Sequence, residues 1–317
     1  MAKKTRNRFL DYLVYLVVRT LVCVIQCMPM DRAYALARGI ARIAYSVDKR
    51  HREVAARNLA LAFGDSIPAD QRERMVLAVY EHFLMMIVEI AFIPRKLHVS
   101  NWKKYATVEN AEEAVTTILA DRPVIIVTAH FGNWEMAGYL LAAIGLKSFA
   151  IARDLDNPYL HDFVLRFRQW SGQTILSKTG DIERIQEVLA QRGILISVGD
   201  QSAGARGYFV DFFGQPASTH KGIAILAMKY NAPIIVGYAY RLGDRFRYQV
   251  GCSRILDPAT YEDRRDAMLA ITEDFTKLLE EVIRKAPEQY LWLHNRWKHK
   301  PQERSRARKA PSAVQAA

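Results

Sequence analysis

From about residue 105 onward, short apolar runs alternate with stretches of helical periodicity, and this rhythm limits the fold more than any other feature. RPVIIVTAH reads as a strand and NWEMAGYLLAAIG as a helix ending at glycine. LKSFAIAR, TIL and ILISVGD read as further strands, separated by the helical patterns NPYLHDFVLRFRQWSG and DIERIQEVLAQRG. YFVDFFG adds another candidate strand, THKGIAILAMKYNA a helix, and PIIVGYAYR and FRYQVGCSRI two more strands. The strands are apolar almost throughout, which predicts burial on both faces. The expected class is therefore α/β, with helices covering a mixed, mostly parallel sheet. In such sheets functional groups gather at the carboxyl ends of strands. His130, Arg153 and Asp200 each stand at such an end.

Residues 31–98 are helical in pattern. In QRERMVLAVYEHFLMMIVEIAFI, Val76, Val79, Tyr80, Phe83, Ile87 and Ile90 are expected on one buried face. Leu84, Met85 and Val88 lie on the other, which leaves open a face against lipid or an acyl chain. Glu89 interrupts this apolar stretch and is expected to be salt-bridged or to snorkel. The chain therefore divides into an anchoring or interfacial helix at 1–30, a main unit at 31–300 and a basic, disordered tail at 301–317. The unit itself has a helical part, 31–100, and an α/β part, 101–300.

The N-terminus begins with Lys3, Lys4, Arg6 and Arg8 and continues as roughly twenty mostly apolar residues. QCMPM offers no signal-peptide cleavage site. Asp11, Tyr15, Arg19, Val22 and Gln26 recur at helical spacing and form one largely polar stripe. Charges inside hydrocarbon are costly, so this stripe is expected to face the protein or the headgroups. A spanning helix and an interfacial one both fit the length. A basic N-terminus and a main unit on the cytoplasmic side cannot both be satisfied by a single span, which favours the interfacial or re-entrant form.

The formal net charge is +12, which calls for an anionic partner. No nucleic-acid module is present and the basic residues flank an apolar anchor, so an anionic membrane surface is expected rather than nucleic acid. Cys23, Cys27 and Cys252 have neither disulfide nor zinc spacing, and no metal is expected.

AHFGNWE, residues 129–135, carries the chemistry. With His130 in the strand-to-helix turn and Glu135 in the first helical turn, the two side chains can meet. Gly132 permits a tight turn and Asn133 is a good N-cap. A carboxylate on one imidazole nitrogen sets the tautomer and raises the basicity of the other. The chain has no G-x-S-x-G elbow, and no cysteine lies in a comparable turn. The proton taken therefore belongs to a substrate hydroxyl.

HFGNWE resembles the H-x4-[DE] box of glycerolipid-type acyltransferases, and in particular the lipid A late acyltransferases. RNLALAF, IARDLDNPYLHDFVLRFR, SVGDQSAGARGYFVDFFGQPASTHKGIAILAMKYNAPII and QYLWLHNRWK are similar to further blocks of that family. The resemblance implies a glycerolipid acyltransferase-type fold at the cytoplasmic face of the inner membrane. It also implies transfer of an acyl group from a thioester, on acyl carrier protein or coenzyme A, to a lipid hydroxyl. No cofactor is implied. His130 would be the base and Glu135 its partner, without an acyl-enzyme. Gly132 and Arg153 are candidates for the oxyanion site. Arg153, Asn157, Arg166, Asp200, Gln201, Gly214 and Thr219 are candidates for substrate binding. Arg153 could clamp a phosphate, Asn157 and Thr219 could equally cap helices, and Asp200 could brace the active-site loop. His294, in the last block, is expected to support structure or acceptor. The acceptor is a lipid A precursor or another glycolipid such as phosphatidylinositol mannoside. A non-catalytic membrane-bound module of the same fold is the remaining alternative.

Overall fold

A computed structural model provides the structure of the chain and describes residues 7–301 apart from 171 and 179. Lys3, Lys4, Arg6 and the basic tail beyond residue 301 lie outside the described residues. Helix α1 (Arg8–Cys27) starts on Asn7, whose side chain accepts from the Phe9 and Leu10 amides. Helices α2 (Met30–Val47), α3 (Lys49–Phe63) and α4 (Ala69–Lys96) follow. α2 turns Ala33, Ala37 and Ala41 toward the protein while Leu36, Ile40, Ile43 and Val47 stay exposed. The small side chains allow α2 and α4 to approach closely.

The α4 face differs from the expected one. Val76, Val79 and Tyr80 are buried, but Ile87 is exposed and His82, Met85, Met86 and Glu89 are buried instead. The helix is enclosed by several partners, so no single stripe describes it. Glu89 turns inward because a cation, Arg241, waits for it.

The α/β part begins with β1 (Ala106–Glu109) and α5 (Ala111–Leu119), then β2 (Val124–Thr128) and α6 (Trp134–Ala143). Strand β3 (Ser148–Ala152), α7 (Pro158–Gln169), β4 (Thr174–Ser177), α8 (Ile182–Ala190) and β5 (Ile194–Val198) continue the alternation. A hairpin, β6 (Tyr208–Phe212) and β7 (Gln215–Thr219), stands apart from the main sheet. Helix α9 (Gly222–Tyr230), β8 (Ile234–Arg241), β9 (Tyr248–Leu256) and α10 (Ala267–Ile283) complete the described elements. Strands β1 and β7 and helices α5 and α10 have no counterpart among the expected elements, and α9 begins three residues later than the THKGIAILA pattern suggests.

The seven-stranded sheet has the order β1-β9-β8-β2-β5-β3-β4. Its pairs are parallel except β8 with β9. The sheet is mixed and mostly parallel, as its apolar strands predicted. β2 is buried along its whole length because helices cover both sides. Ile125 and Val127 pack in the core that contains Ile223 and Phe275, whereas Val124 and Ile126 pack with Ala114 and Ile235.

Candidate active site

β2 and β5 are neighbours, with Thr128 opposite Val198. Two residues beyond those partners stand His130 and Asp200. The register alone therefore brings them together. The His130 Nδ1–H donates to Asp200 Oδ1 at 2.8 Å. Asp200 is almost fully buried, while the His130 side chain keeps one-fifth of its surface open (19% exposed). With Nδ1 protonated, Nε2 carries the free lone pair.

The electrostatics follow from this contact. Burial alone would lower the His130 pKa, but the charge of Asp200 and its hydrogen bond outweigh burial, and the value is raised. Glu135 adds to the rise and Arg168 opposes it. Asp200 moves the other way. Burial disfavours its anion, yet His130 and the nearby Arg296 hold its pKa below the ordinary carboxylate value. The Tyr290 hydroxyl, buried beside Asp200, is kept protonated. The Trp134 ring meets the imidazole edge-on, with centroids 5.0 Å apart.

Glu135 is bound elsewhere. Arg168 on α7 grips its carboxylate bidentately, Nε to Oε2 at 2.9 Å and Nη2 to Oε1. The nitrogen that Glu135 was expected to hold is thus taken by Asp200. Asp200 is the long-range partner of His130, 70 residues away in sequence, and no local spacing could reveal it.

The turn between β2 and α6 accounts for Gly132. Its φ is +59°, and an added Cβ would overlap the main chain at Ala239 and Tyr240. Its amide donates to the Gln289 carbonyl at 3.0 Å. That engagement takes the Gly132 N–H away from the oxyanion role expected of it. Asn133 caps α6 by accepting from the Met136 amide at 2.9 Å, as its residue type predicted.

The other candidates scatter. Arg153 follows β3, but its side chain is 84% exposed and lies 3.8 Å from Asp156. Asn157 caps α7 and its Nδ2 donates to the Asp11 carbonyl at 2.8 Å, which ties α7 to α1. Arg166 is exposed on the last turn of α7; Arg168, two positions on, is the arginine that reaches the motif. Gln201 follows Asp200 and is half-buried. Gly214 and Phe213 form the β6–β7 turn, both with positive φ as a two-residue hairpin requires. Thr219 is not a helix cap. It ends β7, and its hydroxyl accepts from Arg296 Nη2 at 2.6 Å.

The C-terminal segment closes the site. Leu291 N–H donates to the His130 carbonyl at 3.0 Å. Asn58 of α3 donates to the carbonyls of both Trp292 and His294, each at 2.7 Å. Arg296 is buried over the Phe212 ring.

A family model described as bacterial lipid A biosynthesis acyltransferase matches residues 1–299. The chain belongs to that family. It is an O-acyltransferase that acts on lipid acceptors. It is 25% identical to the lipid A biosynthesis lauroyltransferase of Escherichia coli (strain K12), over 92% of this chain and 93% of that one. It is also 25% identical to the lipid A biosynthesis palmitoleoyltransferase of the same strain, over 84% and 85% of the two chains. A phosphatidylinositol mannoside acyltransferase of Mycolicibacterium smegmatis (strain ATCC 700084 / mc(2)155) is 25% identical over 68% of this chain and 72% of its own. Among solved structures, the 1-acyl-sn-glycerophosphate acyltransferase PlsC of Thermotoga maritima aligns over 81% of this chain and 98% of its own. The TM-score is 0.39 and the identity 12%.

Proposed function

We propose that the acyltransferase moves a fatty acyl group from a thioester to a hydroxyl of a lipid A precursor or related glycolipid, with His130 as general base. The observation that carries this reading is the 2.8 Å bond between His130 Nδ1 and Asp200 at adjacent strand ends. It leaves Nε2 as the proton acceptor. Nε2 takes the hydroxyl proton as the oxygen attacks the thioester carbonyl carbon. The tetrahedral intermediate collapses, the C–S bond breaks, and the imidazolium returns the proton to the departing thiolate. No acyl-enzyme forms. Glu135, held by Arg168, supplies a second negative charge that stabilises the imidazolium.

The donor is acyl carrier protein or acyl-CoA. An acidic carrier protein suits a chain of formal net charge +12. A hydrocarbon-lined cavity of about 170 Å³ adjoins the site, with Trp134 as the shared wall. Ile118, Ile126, Ala137, Gly138 and Ile235 line it, and this lining suits an acyl chain. The catalytic unit is residues 31–300, and residues 1–30 form the membrane anchor. α1 exposes Phe9, Leu10, Leu13, Val17, Leu21 and Val24, while Gln26 donates to the Ala91 carbonyl and Asn157 bonds the Asp11 carbonyl. That division supports an interfacial helix, and the reading places it at the cytoplasmic face of the inner membrane. Cysteine labelling at both ends of α1 from the same side of the membrane is the expected result, and opposite-side labelling would sink it.

The test of the chemistry is acyl transfer by His130→Ala, Asp200→Asn and Glu135→Gln with a labelled thioester donor. Loss in the His130 variant is expected, and full activity there would refute the base. A covalent acyl-enzyme trapped on the protein would refute direct transfer. The similarity to the mycolicibacterial enzyme favours a second acceptor, phosphatidylinositol mannoside; in that reading the donor is acyl-CoA. Acceptor profiling by mass spectrometry in cells with and without the protein separates the two.

A further inference from the structure

We infer that the buried ion pair of Glu89 and Arg241 is a positioning device for His130, acting through Asn133 and the main chain of Gly132. The inference rests on the reading of His130 as the base.

Glu89 has no exposed surface and lies in the middle of α4, amid apolar neighbours. Removing two charges from water costs more than packing two apolar side chains of like size. The fold therefore has cheaper ways to join α4 to β8. What the pair does touch is the turn that carries His130. Glu89 Oε1 accepts from Arg241 Nη1 at 2.7 Å and from the Tyr34 hydroxyl at 2.9 Å. Its other oxygen accepts from Asn133 Nδ2 at 2.9 Å. Asn133, three residues after His130, spends its own Oδ1 on capping α6 and its amide on the Ala239 carbonyl.

The contacts close into a ring. Gln289 brackets the Arg241 backbone, accepting from its amide and donating to its carbonyl, both at 2.9 Å. The Gln289 carbonyl in turn accepts from the Gly132 amide. His82, two turns before Glu89 on α4, holds the Gly132 carbonyl through Nε2 at 3.1 Å. The circuit runs Glu89, Arg241, Gln289, Gly132, Asn133 and back to Glu89. The circuit fixes the Gly132 amide and Asn133 Nδ2, while His82 and the α6 cap hold the Gly132 carbonyl and Asn133 Oδ1. A rotation of the turn that moved His130 would break the Asn133–Glu89 bond and leave a buried carboxylate short of a donor. The ring thus resists the displacement that would part His130 from Asp200. Misplacement by about 1 Å can cost of the order of 100-fold in rate.

Asn133→Ser separates the two duties of Asn133. Serine caps a helix about as well as asparagine but is too short to reach Glu89. The expected result is a folded enzyme whose kcat falls by roughly 10- to 100-fold, with KM within about threefold. Its pH–rate profile should also shift its acidic limb downward as His130 loosens from Asp200. The groups facing His130 in that titration are Asp200, Glu135, Arg168 and His294. A second variant, Glu89→Gln with Arg241→Met, removes both charges together so that neither is stranded. It should show the same kcat loss, and combining it with Asn133→Ser should add little, since the residues act in one circuit. Wild-type kcat and an unmoved limb in a folded Asn133→Ser enzyme overturn the proposal, as would losses that multiply in the combined variant. His130→Ala run alongside keeps the two readings apart. Activity in that variant defeats the base, whereas its inactivity beside a fully active Asn133→Ser defeats only the positioning.

Discussion

His130 works against its own burial. Desolvation favours the neutral ring, and Asp200 more than restores the proton affinity that burial removes. The general base proposed here must be neutral, so activity should rise as pH passes upward through a pKa above the ordinary imidazole value. Asp200→Asn takes away the charge that raised that pKa, and the acidic limb of the pH–rate profile should move to lower pH. It should also lower kcat by roughly two to four orders of magnitude, as loss of the tautomer-setting carboxylate does elsewhere. Steady-state rates between pH 5 and 9 test both statements. His82 makes a contrasting prediction about stability. Burial, then the charge of Arg241, push its pKa down to about 3. Unfolded, it titrates near about 6.5. Between those values the unfolded chain binds a proton that the native protein refuses. Stability therefore falls as pH drops through that window, by up to about 1.4 kcal/mol per pH unit. His82→Gln, which retains an N–H for the Gly132 carbonyl, should flatten the decline in urea midpoints between pH 7 and pH 5.

At the scale of elements, the β2–α6 connection and α7 decide the site. The β2–α6 turn needs a left-handed residue with no side chain, because the β8 main chain passes directly over Gly132. Gly132→Ala should add the overlap to the roughly 1–2 kcal/mol that a left-handed non-glycine costs. A large fall in melting temperature and loss of activity are expected, and near-wild-type thermal unfolding would contradict the turn as described. α7 presents two arginines of differing consequence. Arg168 holds Glu135, whereas Arg166 is exposed. Arg168→Ala should reduce kcat at least tenfold by releasing Glu135 beside His130, on the scale of about 2 kcal/mol for a lost bidentate pair. Arg166→Ala should leave kcat within about twofold, as exposed charges usually do. Parallel kinetics on the two variants measure the difference.

The whole molecule turns a hydrocarbon surface outward on its N-terminal helices. Val17, Leu21 and Val24 of α1 and Ile43 and Val47 of α2 are more than half exposed. Large aliphatic side chains left out while alanines go in mark a surface meant for a partner other than water. Each buried methylene contributes about 0.8 kcal/mol to seating in lipid. Val17→Ser, Leu21→Ser and Val24→Ser together should therefore weaken binding to anionic vesicles by at least tenfold in a flotation assay. Undiminished flotation would show that α1 is not the anchor. The formal net charge of +12 predicts a second signature, since exposed charges are screened beyond about 10 Å at 0.1 M salt. Vesicle binding should weaken steadily as salt rises.

The amino-acid sequence determined the features that depend on neighbours along the chain. Period-two and period-3.6 patterns marked most of the strands and helices. The caps Asn133 and Asn157 were legible because capping is a contact over three residues. β1, β7, α5 and α10 escape those patterns. His130 stood out because a strand, a glycine turn and a helix meet within a few residues. Only the tertiary structure decided which carboxylate His130 meets. Glu135 is five positions away and Asp200 seventy, yet strand order sets β5 beside β2 and their register delivers Asp200 to Nδ1. The same holds for Glu89, whose partners come from α2, α6 and β8. Hydrogen bonds reach about 3 Å in space whatever the separation in sequence, so what joins distant segments is set by how the sheet is assembled.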